Sequence, residues 1–169
     1  MNPTGRTRGL HEQPDIPLDC VGLDFPAVLT KQQLWRIVQG QYNPLGWLSP
    51  YTIRFNLFLR EVSVRSSMGW DEPIDEDIRV ACRDVCIGLA EVALIGLPRA
   101  VVSMAGPVQL LAFGDTSTVA LAACVYTRCE VDGAVKCSRV TMKTKVAPAS
   151  KASVLHLELI SAVMAVNLA

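Results

Sequence analysis

Hydrophobic residues recur at helical spacing in the N-terminal hundred residues of the chain. Thr30 precedes Leu34, Ile37 and Val38, which predicts a capped helix through Gln39 with one buried face. The preceding residues, 1–28, contain four prolines and little periodicity, which predicts an irregular tail.

Two further helices are predicted between residues 49 and 95. Ser49 and Pro50 are typical of an N-cap followed by proline at the first helical position, so the second helix is predicted over residues 51 to about 66. Its buried face is predicted to comprise Ile53, Leu57, Phe58 and Val62. The third helix is predicted from Asp75 to about Ile95, with Ile78, Cys82, Val85, Leu89, Val92 and Ile95 on its buried face.

The pattern then changes to runs rich in valine and threonine. Residues 108–113, 119–127 and 135–145 are predicted strands, and Asp132-Gly133 predicts a hairpin turn. Ser153 is predicted to cap a last helix from Val154 nearly to Ala169. The face of this helix predicted to be buried comprises Leu155, Leu159, Ala162, Val163 and Val166. The order of elements, three helices followed by β-β-β-α, predicts an α+β fold.

Composition and charge narrow the class of protein. Half of the 169 residues are hydrophobic, which is typical of a globular chain. The formal net charge is zero, so the chain as a whole has no excess of positive charge that would attract nucleic acid. The six cysteines are scattered without metal-binding spacing, which favours free thiols. Because the N-terminus lacks a signal pattern and no apolar run is long enough to cross a bilayer, we expect an intracellular protein without a membrane span.

Two acids stand out from apolar surroundings. Asp115 follows the apolar run 110–113 and precedes two hydroxyl residues, which predicts a carboxylate at the end of a buried strand. Glu158 lies on the apolar last helix, and the two acids could converge on a hydrated Mg²⁺. The alternative is that Asp115 only forms a turn and that Glu158 points to solvent.

From about residue 29 to the end, the chain resembles the Pao retrotransposon peptidase family, a segment of BEL/Pao retrotransposon Pol polyproteins. The motifs that carry the resemblance are, in chain order, Thr30-Lys31, Tyr42-Asn-Pro-Leu-Gly46, Leu48-Ser-Pro50, Trp70-Asp-Glu-Pro73, Leu97-Pro-Arg99, Phe113-Gly-Asp-Thr-Ser117, Val125-Tyr126, Lys145-Val-Ala-Pro148 and Leu157-Glu-Leu159.

The resemblance implies a division of the chain and a function. Residues 29–100 would correspond to the thumb or connection of a reverse transcriptase, and residues 107–169 to the β-β-β-α opening half of an RNase H-like domain. Asp115 and Glu158 would be catalytic, metal-binding carboxylates for Mg²⁺, or Mn²⁺, once further acids complete the site. The implied partners are an RNA–DNA hybrid and the remainder of the Pol polyprotein, in the cytoplasm or a virus-like particle.

The departures from the family's motifs bear on activity. Glycine replaces serine before Asp115, and Val154-Leu155-His156 replaces Ile-Pro-Arg at the start of the last helix. Because only two of the usual four RNase H acids are recognisable, we expect no efficient hydrolysis by this chain alone. A three-stranded sheet followed by one helix would also leave an open edge and an uncovered face.

Two other functions remain open at this point. The family name implies an aspartic peptidase, and Gly114-Asp-Thr-Ser117 is similar to the Asp-Thr-Gly of retroviral proteases, but serine stands where those enzymes need glycine. The chain could instead be a non-catalytic module that binds nucleic acid or serves a structural role.

Overall fold

A computed structural model describes residues 25–65, 69–93, 107–131, 133–148 and 152–169. Three helices precede a three-stranded antiparallel sheet and a final helix, so the α+β prediction is confirmed. The elements are α1 (Lys31–Gln39), α2 (Ser49–Arg65), α3 (Glu76–Ala93), β1 (Val108–Thr116), β2 (Ala120–Val131), β3 (Ala134–Val146) and α4 (Val154–Leu168).

The first helix begins and ends where the pattern predicts. The Thr30 hydroxyl accepts a hydrogen bond from the Gln33 amide, and the Gln33 side chain accepts one from the Thr30 amide, which together form a capping box. Leu34 and Val38 are buried on the inner face. The residues before this helix also contact the core, because Phe25 packs against it and the Pro26 carbonyl accepts a hydrogen bond from Arg79.

The start of α2 differs from the prediction. The amides of Tyr51 and Thr52 both donate to the Leu48 carbonyl, so the first turn begins early and Ser49 is a buried helical residue rather than the N-cap. The predicted buried face was also wrong in part. Phe55 is fully buried, whereas Ile53 and Leu57 are only partly buried. The helix packs on α1 and α3 and also on β3, so apolar residues surround more than one of its faces.

The third helix completes an N-terminal core with the first two. Ile78, Cys82, Val85 and Leu89 are buried as predicted, while Val92 is partly buried. Ile95 lies outside the described residues. The described cysteines are free thiols; Cys82, Cys86 and Cys129 are buried, whereas Cys124 is partly buried and Cys137 is exposed.

The sheet has the order β1-β2-β3, with β2 in the centre. The hairpin turn is confirmed at Gly133, whose φ of 74° is the left-handed conformation that glycine adopts readily, while Asp132 lies outside the described residues. The first strand is longer than predicted and continues through Thr116, so Asp115 lies inside the strand, opposite Ala122. The expectation that Asp115 follows the end of the strand was therefore wrong.

The last helix starts as predicted but packs with a different face. The Ser153 hydroxyl caps it by accepting a hydrogen bond from the His156 amide. Leu155, Leu159, Ala162, Val163 and Val166, predicted to be buried, are all exposed. The residues that pack on the sheet are Leu157, Ser161, Met164 and Ala165. Because α4 is apolar around most of its circumference, hydrophobic spacing does not select one face.

A glycine on the strand beneath α4 accounts for the face that is buried. A Cβ atom added at Gly114 would lie 2.5 Å from the Ser161 carbonyl oxygen and 3.1 Å from the Ala162 nitrogen. The backbones of β1 and α4 are therefore in contact, which is possible only without a side chain at this position. Ala123, opposite Gly114 on β2, is buried in the same core, so the α4 side of the sheet is lined by small residues here.

The two edges of the sheet have different environments. At the β3 edge, the Met142 amide donates to the Leu45 carbonyl over 3.0 Å, and a Cβ atom at Gly46 would overlap the Met142 carbonyl oxygen at 1.7 Å. The Arg139 guanidinium also stacks on the Trp47 ring at 4.3 Å. The loop before α2 thus covers β3, while within the described ranges no element pairs with the outer edge of β1.

No helix among the described residues is long and apolar enough to cross a membrane.

The docking of the loop on β3 can be measured with two glycine substitutions. Gly46 and Gly133 have nearly equal φ values, 73° and 74°, but nothing lies within 4 Å of a Cβ atom at Gly133. We expect Gly133→Ala to lower the free energy of unfolding by about 1–2 kcal/mol through backbone strain. Gly46→Ala should lower the free energy of unfolding by about 1–3 kcal/mol more than Gly133→Ala does, because the added methyl group displaces β3. Urea unfolding measures both, and equal losses would show that the loop does not rest on β3.

The close approach of α4 to β1 gives a second prediction. Gly114→Ala should lower the free energy of unfolding by about 1–3 kcal/mol, because backbone atoms of α4 must move away. Gly69→Ala is the matched control, since its Cβ atom would make only ordinary contacts with the Glu72 side chain. A Gly114→Ala protein as stable as the Gly69→Ala protein would contradict the contact.

Candidate carboxylate site between β1 and α4

The strand places Asp115 at the open edge of the sheet. Gly114 faces α4, so strand alternation directs the Asp115 side chain away from the face that α4 covers. Asp115 is exposed, and its Oδ1 atom accepts a hydrogen bond from the Thr116 amide over 2.8 Å. This bond holds the carboxylate against its own strand and leaves Oδ2 available for another donor or a cation.

Helix α4 carries Glu158 on the side that lies next to the outer edge of β1. Glu158 is exposed one residue after the buried Leu157, and its backbone carbonyl accepts a hydrogen bond from the Ser161 hydroxyl over 2.8 Å. Within the described ranges its carboxylate forms no ion pair. The side chain is therefore free of a charged partner in that part of the chain.

The two predicted acidic residues both border one cavity. It has a volume of about 500 Å³, and its walls are Ala112, Gly114 and Asp115 of β1 with Glu158, Ser161, Ala162, Ala165 and Val166 of α4. Since β2 contributes nothing to the walls, the cavity lies between β1 and α4 on the side away from the rest of the sheet. Asp115 and Glu158, which are far apart in sequence, border the same cavity because α4 approaches β1 at Gly114.

The chemistry of the walls defines which ions suit the cavity. Small residues form most of the walls, and Asp115 and Glu158 are the acidic residues among them. Mg²⁺ is commonly held by one or two carboxylates together with its own waters, so Asp115 and Glu158 are the residues of these walls whose chemistry suits a hydrated divalent ion. Among the described residues, no group of three or more His, Cys, Asp or Glu side chains is placed to hold a metal.

The sequence pattern predicts the two acidic residues but not the contact that lets both border one cavity. That contact is made by Gly114 on β1 and Ser161 on α4. The available signal was a glycine in the interior of an apolar strand, which is often a position where another backbone approaches closely.

Comparison with known proteins identifies the family. Residues 30–169 match the family described as the Pao retrotransposon-like RNaseH-like domain. No curated protein and no solved structure matches the chain. The matched residues include the seven helices and strands of the described ranges and both acidic residues of the cavity. The chain therefore belongs to the Pao retrotransposon-like RNaseH-like domain family.

Proposed function

We propose that this chain is a segment of a BEL/Pao-type retrotransposon Pol polyprotein, located where the reverse transcriptase joins RNase H. Asp115 and Glu158 would be the first two carboxylates of the metal site with which the parent protein hydrolyses the RNA of RNA–DNA hybrids. The observation that carries the proposal is the shared cavity, because two acids far apart in sequence line the same small space. Membership of an RNaseH-like family supports it.

The role of each residue follows from its position. Asp115 would contribute Oδ2 from the strand edge, with the Thr116 amide fixing the orientation of the carboxylate through Oδ1. Glu158 would contribute its carboxylate from α4. A bound Mg²⁺ would polarise a phosphoryl oxygen and activate water. The absence of a side chain at Gly114 lets α4 approach β1, so that Asp115 and Glu158 both border the cavity.

For this chain alone we propose metal binding without hydrolysis. Two-metal hydrolysis requires carboxylates on both ions, and the described walls of the cavity include two acidic residues. The aspartic-peptidase alternative gains no support here, since the matching family is described as RNaseH-like.

Binding of Mn²⁺ to the 169-residue chain tests the role of the carboxylates. We expect one site, detected by the loss of the free Mn²⁺ signal in electron paramagnetic resonance. Glu158→Gln should weaken binding at least about tenfold, because the change removes a charged ligand but keeps the shape of the side chain. The matched control is Glu130→Gln, an exposed glutamate on β2 that does not line the cavity. Equal affinities in the Glu158→Gln and Glu130→Gln proteins would refute the proposed role.

Hydrolysis is a separate test. We expect the chain to leave the RNA strand of a labelled RNA–DNA hybrid intact in the presence of Mg²⁺ or Mn²⁺, because the described residues supply too few ligands for two ions. Gel analysis of the labelled RNA measures this directly. Cleavage by the wild-type chain that disappears in Asp115→Asn would show that the site is already sufficient for catalysis.

A further inference from the structure

A second cavity, separate from the carboxylate site, lies between the helical half of the chain and β3. It has a volume of about 520 Å³, which is within the size range of ligand-binding sites. Its described walls come from the end of α1, the loop before α2, the first half of α2, residues 141–144 of β3 and Leu168 of α4. Gly46 and Met142 are both among the wall residues, so the contact of the loop with β3 also shapes this cavity.

The described walls contain many neutral hydrogen-bonding residues and one charged residue, which is basic. Both halves of the chain contribute amide and hydroxyl side chains, including Gln39, Thr52, Asn56, Thr141 and Thr144. The charged residue is Lys143, and the described walls include no acidic and no aromatic residue. Proteins contact the phosphate and sugar oxygens of nucleic acids with such amide, hydroxyl and ammonium groups, whereas aromatic rings stack on bases. The walls therefore suit a sugar–phosphate backbone better than they suit bases.

Strand β3 adds positive charge beside the cavity. Its 13 residues include four basic and no acidic side chains, in a chain whose formal net charge is zero. Lys143 and Lys145 pair with Ala123 and Leu121 of β2, and they lie on one face of the sheet, about 6.7 Å apart along the strand. Both lysines are exposed, and no ion pair between described residues includes either of them. Two cations are therefore positioned to contact one polyanionic strand.

We propose that this cavity and the two lysines, together called the β3 site, bind the sugar–phosphate backbone of an RNA–DNA hybrid. The identity of the polyanion rests on the proposed function, because charge alone does not distinguish nucleic acids from other polyanions. The β3 site shares no described residue with the carboxylate cavity, which lies at the β1 edge of the sheet. Binding at the β3 site therefore requires no metal. With two lysines, it should be weak, independent of base sequence and reduced by salt.

Fluorescence anisotropy of a labelled RNA–DNA hybrid, titrated with the 169-residue chain in EDTA, tests the charge of the β3 site. EDTA removes divalent ions, so metal binding by Asp115 and Glu158 does not contribute. Lys143→Gln should weaken binding at least about threefold and should lower the slope of log affinity against log salt concentration by about 0.7–0.9. Arg83→Gln is the matched control, since it removes one positive charge from an exposed residue of α3, which does not line the cavity.

A second variant tests the neutral wall of the cavity. Asn56→Leu should weaken binding of the hybrid at least about threefold with the salt slope unchanged, because it removes a hydrogen-bonding amide but no charge. Asn167→Leu is the matched control, since Asn167 is also a helical asparagine but is not among the described wall residues. Urea unfolding of each variant distinguishes a loss of binding from a loss of folding.

The outcomes are distinct. Binding in EDTA that is weakened by Lys143→Gln and Asn56→Leu, and unchanged by Arg83→Gln and Asn167→Leu, supports the β3 site. No binding at about 50 mM salt and up to about 500 μM protein overturns it, as do equal effects of Lys143→Gln and Arg83→Gln. Unchanged binding by a folded Asn56→Leu protein overturns the cavity as the place of contact. Glu158→Gln should leave binding in EDTA unchanged, so a failure of the proposed metal site is seen separately, in the Mn²⁺ titration.

Discussion

The contact between the backbones of β1 and α4 determines the arrangement of the C-terminal half of the molecule. Where Gly114 lies against Ser161, helix and strand are closer than any side chain would allow. The contact selects the face of α4 that is buried, since Leu157, Met164 and Ala165 are then directed toward the sheet. The same rotation of the helix places Glu158 beside the edge of β1, where it shares a cavity with Asp115.

Because of the positions of α4 and of the loop before α2, the two edges of the sheet also have different neighbours. At β3, a backbone hydrogen bond to Leu45 and the close approach of Gly46 attach the helical half of the chain. Arg60 adds a hydrogen bond to the Ala147 carbonyl over 3.1 Å, just beyond the end of the strand. At β1, the described residues leave the edge uncovered, with the carboxylate cavity and the exposed flank of α4 beside it. The proposed metal binding therefore concerns the β1 edge of the sheet.

Much of this structure was predictable from interactions between residues that are close in sequence. The Thr30 and Ser153 caps and the turn at Gly133 follow from residues that satisfy helix ends or adopt positive φ. The buried face of α3 was predictable because its apolar residues form one stripe with polar residues opposite. In each case the determining interactions lie within a few residues of one another.

The failures have a common physical origin in long-range packing. Helix α4 is apolar on most sides, so its buried face depends on a contact with a strand some 45 residues away in sequence. The burial of Phe55 was not predicted, because α2 packs against both the other helices and β3 and its buried residues therefore do not lie on a single face. Both acids of the site were identified, but their shared cavity depends on Gly114, whose effect is visible only once α4 is in place.

The most direct test of the Gly114 contact is a nuclear Overhauser measurement on the isotopically labelled chain. If α4 lies on β1 as described, the α protons of Gly114 should show strong cross-peaks to the backbone amide proton of Ala162. Cross-peaks from Gly114 to the side chains of Leu159 and Val163, with none to the Ala162 amide, would show that α4 buries its other face. The shared position of Asp115 and Glu158 would then be lost.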